Sequence, residues 1–167
     1  MKLYYAPGSC ALASHIVLCE LGLPYALDRV DLRAKLTADG QDFRQINSLG
    51  YVPALGLNNG QVLTEGPSIL FYLADLVPSS GLVAPAGELE RYRTIYWVNF
   101  ISTELHKNFS PLFAKDTPEE YRVKVVERLS GRLQHVEQYL AQHSFLGGEL
   151  FTVADAYLFV VLGWAPL

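Results

Sequence analysis

Val52-Pro53 stands just ahead of Asn58-Asn59-Gly60, and Glu65-Gly66 follow that turn at the start of an apolar run. These residue types at this spacing can hold a ligand. Pro53 has no N–H for a sheet ladder, so it suits the first residue of an edge strand or a bend leading into one. A cis Val52-Pro53 bond would turn the Val52 backbone outward and leave its N–H and C=O free. Those groups could pair with an extended peptide as an added strand. A helix opening at Glu65-Gly66 would present unpaired N–H groups suited to a carboxylate. Read by itself, Glu65 is equally a good first-turn acid. Together the two features describe a cradle for a small anionic peptide.

Cys10 and His106 could add chemistry to that cradle. Cys10 falls at the expected N-terminus of the first helix, where the dipole and free N–H groups lower a thiol's pKa and favour the thiolate. A small residue at a tight turn explains that position equally well. Cys19 lies in an apolar helical run and reads as inert core. The two cysteines would sit on opposite faces of one helix, about 13 Å apart along its axis, which excludes a disulfide. Around His106, an advance of about 100° per residue gathers Val98, Ile101, Leu105, Phe109 and Leu112 into one apolar stripe. Asn99, Thr103 and His106 form a separate polar strip, flanked by Tyr92 and Tyr96. His15, His135 and His143 have no such company and read as structural or surface residues.

The elements that must position these residues follow in order. Lys2 to Tyr5 reads as a strand, Pro7-Gly8 as a turn, and a helix opens at Ser9 or Cys10 and ends at Gly22. Tyr25 to Asp31 is a second strand parallel to the first, giving a right-handed βαβ unit. After a polar stretch with an irregular helix near Asp42 to Ile46, Ala54-Leu57 and Gln61-Thr64 flank Asn58-Asn59-Gly60 as a hairpin. A helix runs from Glu65 to about Leu76. This βαβ-ββα order is that of a thioredoxin-like domain, residues 1–77. Residues 78–87 carry Pro78, Gly81, Pro85 and Gly87 and read as a linker. Residues 88–167 read as all helical, with helices over 88–115 and 118–143 and a third from Thr152. Thr152 and Asp155 form a capping box there, with Phe151 as a staple residue. The fold class is α/β plus all-α.

Composition narrows the partners. Half the residues are hydrophobic and 18% are charged, as in a globular protein with a real core. A net charge of −4 with no basic run argues against nucleic acid or an anionic membrane. The start of the chain is no secretory signal, and the uncharged stretch from Ala156 to Leu167 is too short to span a bilayer. A cytoplasmic protein is expected. No G-x-G-x-x-G, P-loop or Cys/His ligand spacing calls for a nucleotide, flavin or metal.

The sequence resembles the bacterial beta-class glutathione transferases. The resemblance is carried by Pro7-Gly8-Ser9-Cys10-Ala11-Leu12-Ala13-Ser14-His15, Val52-Pro53-Ala54-Leu55, Leu63-Thr64-Glu65-Gly66, Thr103-Glu104-Leu105-His106-Lys107, Asp116-Thr117-Pro118-Glu119-Glu120-Tyr121 and Phe151-Thr152-Val153-Ala154-Asp155-Ala156-Tyr157-Leu158. It implies glutathione in the thioredoxin-like domain, a small hydrophobic electrophile between the two domains, and a cytoplasmic homodimer acting in detoxification. Cys10 and His106 would face the glutathione sulfur as catalytic residues. Val52 and Pro53 would meet the peptide backbone, and Glu65 and Gly66 the γ-glutamyl end. Gly66 stands where other glutathione transferases often carry serine. Lys35 would pair with the glycyl carboxylate, and Tyr5 is a secondary candidate from other classes. Further contacts are expected at Asn99, Thr103, Glu104 and Leu105. Relatives continue through further helices, so the helical domain is expected to be incomplete at Leu167.

The reaction implied is attack of the glutathione thiolate on the electrophile, with glutathione as co-substrate and no further cofactor. An alternative is thiol–disulfide exchange or peroxide reduction through Cys10, limited to mixed disulfides because no Cys-x-x-Cys pair exists. Another is a non-catalytic glutathione- or ligand-binding protein.

Overall fold

Alternation along Lys2–Tyr5 organises the first half of the chain. In the computed structural model, which describes residues 1–165, this segment is strand β1. Leu3 is buried on one face, and Tyr4 sets its ring 5.6 Å from that of Phe43 on the other. β1 pairs in parallel with β2 (Ala26–Arg29) and antiparallel with β3 (Ala54–Gly56), which pairs antiparallel with β4 (Val62–Thr64). The sheet order is β2-β1-β3-β4. Helix α1 (Ala11–Glu20) links β1 to β2, and α2 (Gly66–Leu76) follows β4. This is the thioredoxin-like order read from the sequence.

Two details differ from the expected strands. β3 lies between β1 and β4, so Pro53 marks the bend leading into a central strand, not the start of an edge strand. β2 is shorter than 25–31, because its flanks are spent elsewhere. Tyr25 turns its hydroxyl to His15 Nε2 at 2.8 Å and Cys19 Sγ at 3.2 Å. The Asp31 carboxylate accepts from the Arg33 and Ala34 N–H groups in a local turn. α1 ends as read, with Gly22 in the left-handed region at φ 61°.

The chain divides into two compact units, Met1–Ser80 and a second that begins at Gly81. In the second unit, α3 (Leu89–Phe100), a π-helical segment (Ile101–His106) and α4 (Lys107–Phe113) follow one another without a break. The sequence reads this stretch as one helix and gives no sign of the wider turn. Val98, Ile101, Leu105 and Phe109 of the predicted stripe are buried. α5 (Glu119–Leu140) buries Val125, Leu129 and Val136. α6 (Val153–Leu162) buries Val153, Ala154, Ala156, Tyr157, Leu158, Val160 and Val161, so it is covered nearly all round, as a central helix must be. The Asp155 carboxylate accepts from Thr152 N–H and Oγ1–H at 2.8 Å each and from Leu146 N–H at 2.7 Å. Phe151 packs edge-on against Phe145. The expected chain end at Leu167 lies outside the described residues. Among the described residues, no helix is long and apolar enough to cross a membrane.

Candidate active site

Within the first unit, one loop and two helix starts bring candidates together. The Val52-Pro53 peptide bond is cis. The Val52 N–H has no partner among the described residues, but its carbonyl is not free as expected: the Cys10 thiol donates to it at 3.5 Å. Pro53 lies close to the start of α2, since a Cβ built on Gly66 would meet Pro53 Cγ at 3.9 Å. Glu65, the residue before α2, is exposed and holds φ at 68°, a region that L side chains rarely adopt. No side chain caps α2, and neither Gly66 nor Ser68 N–H has a partner among the described residues. Two N–H groups therefore point out of the helix start beside a carboxylate, an arrangement that suits a zwitterionic group.

Lys35 joins from the long connection after β2, also at a positive φ of 59°. Its Nζ donates to the Gly50 carbonyl at 2.9 Å and lies 5.5 Å from the Tyr51 ring centroid. Gly50, at φ 63°, suits this approach, because a Cβ there would lie 3.0 Å from Lys35 Cδ and crowd it. The ammonium is thus held on the residues that lead into Val52, with two N–H donors left over. Tyr5 is half-buried at the end of β1, and its hydroxyl bonds none of these residues.

Electrostatics overturn one expectation. Burial pushes the Cys10 thiol from the ordinary 9.0 up to about 11; a backbone hydrogen bond opposes the rise and the Glu65 carboxylate adds to it. Desolvation outweighs the helix N-terminus, so Cys10 is a protonated thiol at neutral pH. Cys19, expected in the core, is exposed.

In the second unit the predicted polar strip does not hold together. Asn99 and Thr103 are exposed, and the Thr103 hydroxyl is spent on the Asn99 carbonyl at 3.0 Å. Glu104 turns to α5, where Arg132 Nε meets its carboxylate at 2.6 Å. Leu105 is 0% exposed, so its side chain belongs to the core. His106 turns instead to α6: its Nδ1 lies 2.6 Å from the Tyr157 hydroxyl, and its ring stands 4.9 Å from that of Trp164. A π turn carries an extra residue, so projecting the strip at 100° per residue misplaces His106 by roughly a quarter turn. Burial, with neighbouring Lys107, holds His106 below the ordinary imidazole range, and the ring is neutral at pH 7.

Tyr157 is the partner of His106 that sequence reasoning missed, since nothing local ties it to a histidine 51 positions away. A second feature was also overlooked. His135 and His143 read as structural or surface residues, and His135 is exposed; with Tyr92, Tyr96, Trp97 and Tyr139 they line an open cavity of about 600 Å³. The spacing of four along Tyr92-Tyr96 and along His135-Tyr139-His143 is the signal that could have found it. Among the described residues, no group of three or more His, Cys, Asp and Glu is placed to hold a metal ion.

Comparison with known proteins bears on both units. Residues 8–76 match the family described as glutathione S-transferase, N-terminal domain, and residues 100–166 match glutathione S-transferase, C-terminal domain. The chain is 52% identical over 165 residues to the glutathione S-transferase GstA of Escherichia coli O157:H7, covering 99% of this chain and 82% of that protein. It is similar to a structure of BphK, a bacterial GST, in a ternary complex, with a TM-score of 0.98 and 50% identity over 99% of this chain and 83% of that one. A sphingomonad glutathione S-transferase complexed with glutathione aligns with a TM-score of 0.95 and 44% identity, over 98% and 82% of the two chains.

Proposed function

Because the chain belongs to the glutathione S-transferase family, we propose that it joins the thiol of glutathione to small hydrophobic electrophiles. The observation that carries this reading is the cradle of the first unit. The free Val52 N–H offers one bond to the backbone of an extended tripeptide, and the open start of α2 suits an α-carboxylate. Glu65 would accept from the ligand's ammonium, and Lys35 would pair with the glycyl carboxylate. In this reading the Cys10 thiol, which turns its one proton from the Val52 carbonyl to the ligand, and the neutral His106 ring are hydrogen-bond donors to the glutathione sulfur. Each favours the thiolate over the thiol, and so raises the nucleophile present at neutral pH. The thiolate then forms a sulfur–carbon bond with the electrophile, whose leaving group departs with its electron pair.

The alternative of disulfide exchange needs Cys10 as a thiolate. Its pKa, raised to about 11, weighs against that role and favours a thiol that donates without reacting. Glutathione as co-substrate suffices, with no further cofactor. A cytoplasmic homodimer that clears electrophiles completes the reading.

Isothermal titration of glutathione into the purified chain, followed by a conjugation assay with a chromogenic electrophile, tests it. Binding with turnover is expected. Binding without turnover would leave a ligand-holding protein, and no binding to a folded sample would remove the cradle.

A further inference from the structure

We propose that Tyr157 is a positioning residue that fixes His106 in the tautomer with its proton on Nε2, making that nitrogen a hydrogen-bond donor and denying it the role of base. Tyr157 sits in α6 with 3% of its surface exposed, and its hydroxyl lies 2.6 Å from His106 Nδ1. The direction of that bond follows from the two groups. A phenol is a good donor and a weak acceptor, because its oxygen lone pair is shared with the ring. The pyridine-type nitrogen of a neutral imidazole is a good acceptor. Tyr157 therefore donates to Nδ1, and the one ring proton goes to Nε2.

The surroundings leave the ring little freedom to escape this bond. Tyr157 stands edge-on to it at 5.9 Å and Trp164 at 4.9 Å. Nε2 has no hydrogen-bond partner among the described residues. Without the hydroxyl, both neutral tautomers become accessible. The other one presents a lone pair at Nε2, which repels a thiolate. The tautomer thus decides whether His106 stabilises a thiolate or removes a thiol proton.

The consequence for catalysis rests on reading His106 as a donor to the glutathione sulfur; the tautomer does not, so two measurements separate them. In the full chain labelled with ¹⁵N, long-range correlation spectra of the imidazoles report the tautomer, with His106 assigned by the loss of its signals in His106→Gln. The wild-type ring is expected as the Nε2–H form, and Tyr157→Phe, which removes only the hydroxyl, as a mixture. Conjugation by Tyr157→Phe is expected to fall about tenfold in kcat with KM for glutathione nearly unchanged, the usual scale for losing an orienting partner. A wild-type ring in the Nδ1–H form overturns the proposal, whether or not the variant folds. So does an unchanged tautomer population in Tyr157→Phe. The expected spectra in a chain without conjugation activity would keep the tautomer assignment and discard the sulfur-donor reading.

Discussion

Replacing Asp155 by alanine removes one carboxylate and three hydrogen bonds at once. Its oxygens accept from Leu146 N–H at 2.7 Å and from Thr152 N–H and Oγ1–H at 2.8 Å each. The two bonds to Thr152 close the start of α6, and the third ties the preceding turn to that helix. A hydrogen bond to a charged group contributes about 1.5–3 kcal/mol, and a lost helix cap costs about 0.5–2 kcal/mol. Asp155 is half-buried, so water reaches some of the vacated donors and the loss stays below the simple sum. We expect a cost of about 2–4 kcal/mol, and a drop in Tm of about 5–15 °C for a chain of this size. Trp97 and Trp164 are the only tryptophans and both lie in the second unit, so urea unfolding followed by their fluorescence reports on it directly. Asp155→Asn keeps the shape but turns an amide N–H toward donors, and should fall between alanine and wild type. A loss under about 1 kcal/mol for Asp155→Ala, at an unchanged urea slope, would refute the reasoning.

Two further outcomes follow from close contacts. With Cys19 replaced by serine, alkylation of Cys10 should be slow at pH 7 and rise with a midpoint near 11. Between the ordinary 9.0 and 11 the unfolded thiol loses its proton before the folded one, so stability should hold below 9 and decline as pH rises; an alkylation midpoint below 9 would contradict the buried thiol. Gly147→Ala should destabilise by about 1–3 kcal/mol in urea unfolding, because a Cβ there would collide with Thr152 Cγ2 and lie 2.6 Å from the Leu150 carbonyl oxygen. An unchanged midpoint would show that the turn before α6 yields freely.

The first unit was legible because its signals are local. Asn58-Asn59-Gly60 is resolved within one hairpin, Gly22 within one helix end, and Leu3 and Tyr4 by the period of a strand. The cis Val52-Pro53 bond and the helix start after Glu65, on which the proposed cradle rests, could be read for the same reason, since these residues lie within fifteen positions of one another. What escaped was the environment around Cys10. Its place beside a helix start is visible in sequence, and the helix start favours a thiolate. Its burial beside the Val52 carbonyl is a tertiary fact, and it reverses the sign, with the Glu65 charge adding to the rise.

The second unit failed at a different point. Helix positions and the buried stripe were readable, but the direction of each side chain around 101–106 was not. Angular projection accumulates phase, so one widened turn misdirects every residue beyond it while leaving the helix itself intact. No glycine or proline marks the change in Ile101-Ser102-Thr103-Glu104-Leu105-His106. The outcome is chemical as well as geometric. Glu104 goes to Arg132 on α5 and His106 to Tyr157 on α6, so two neighbours expected to share one ligand are sent to different partners. A regular α turn would return His106 toward the Asn99 and Thr103 side, away from the phenol that engages its Nδ1. The π segment therefore does for His106 what the capping box does for α6: it settles which hydrogen-bond partner the side chain meets, and through that partner what the side chain can do.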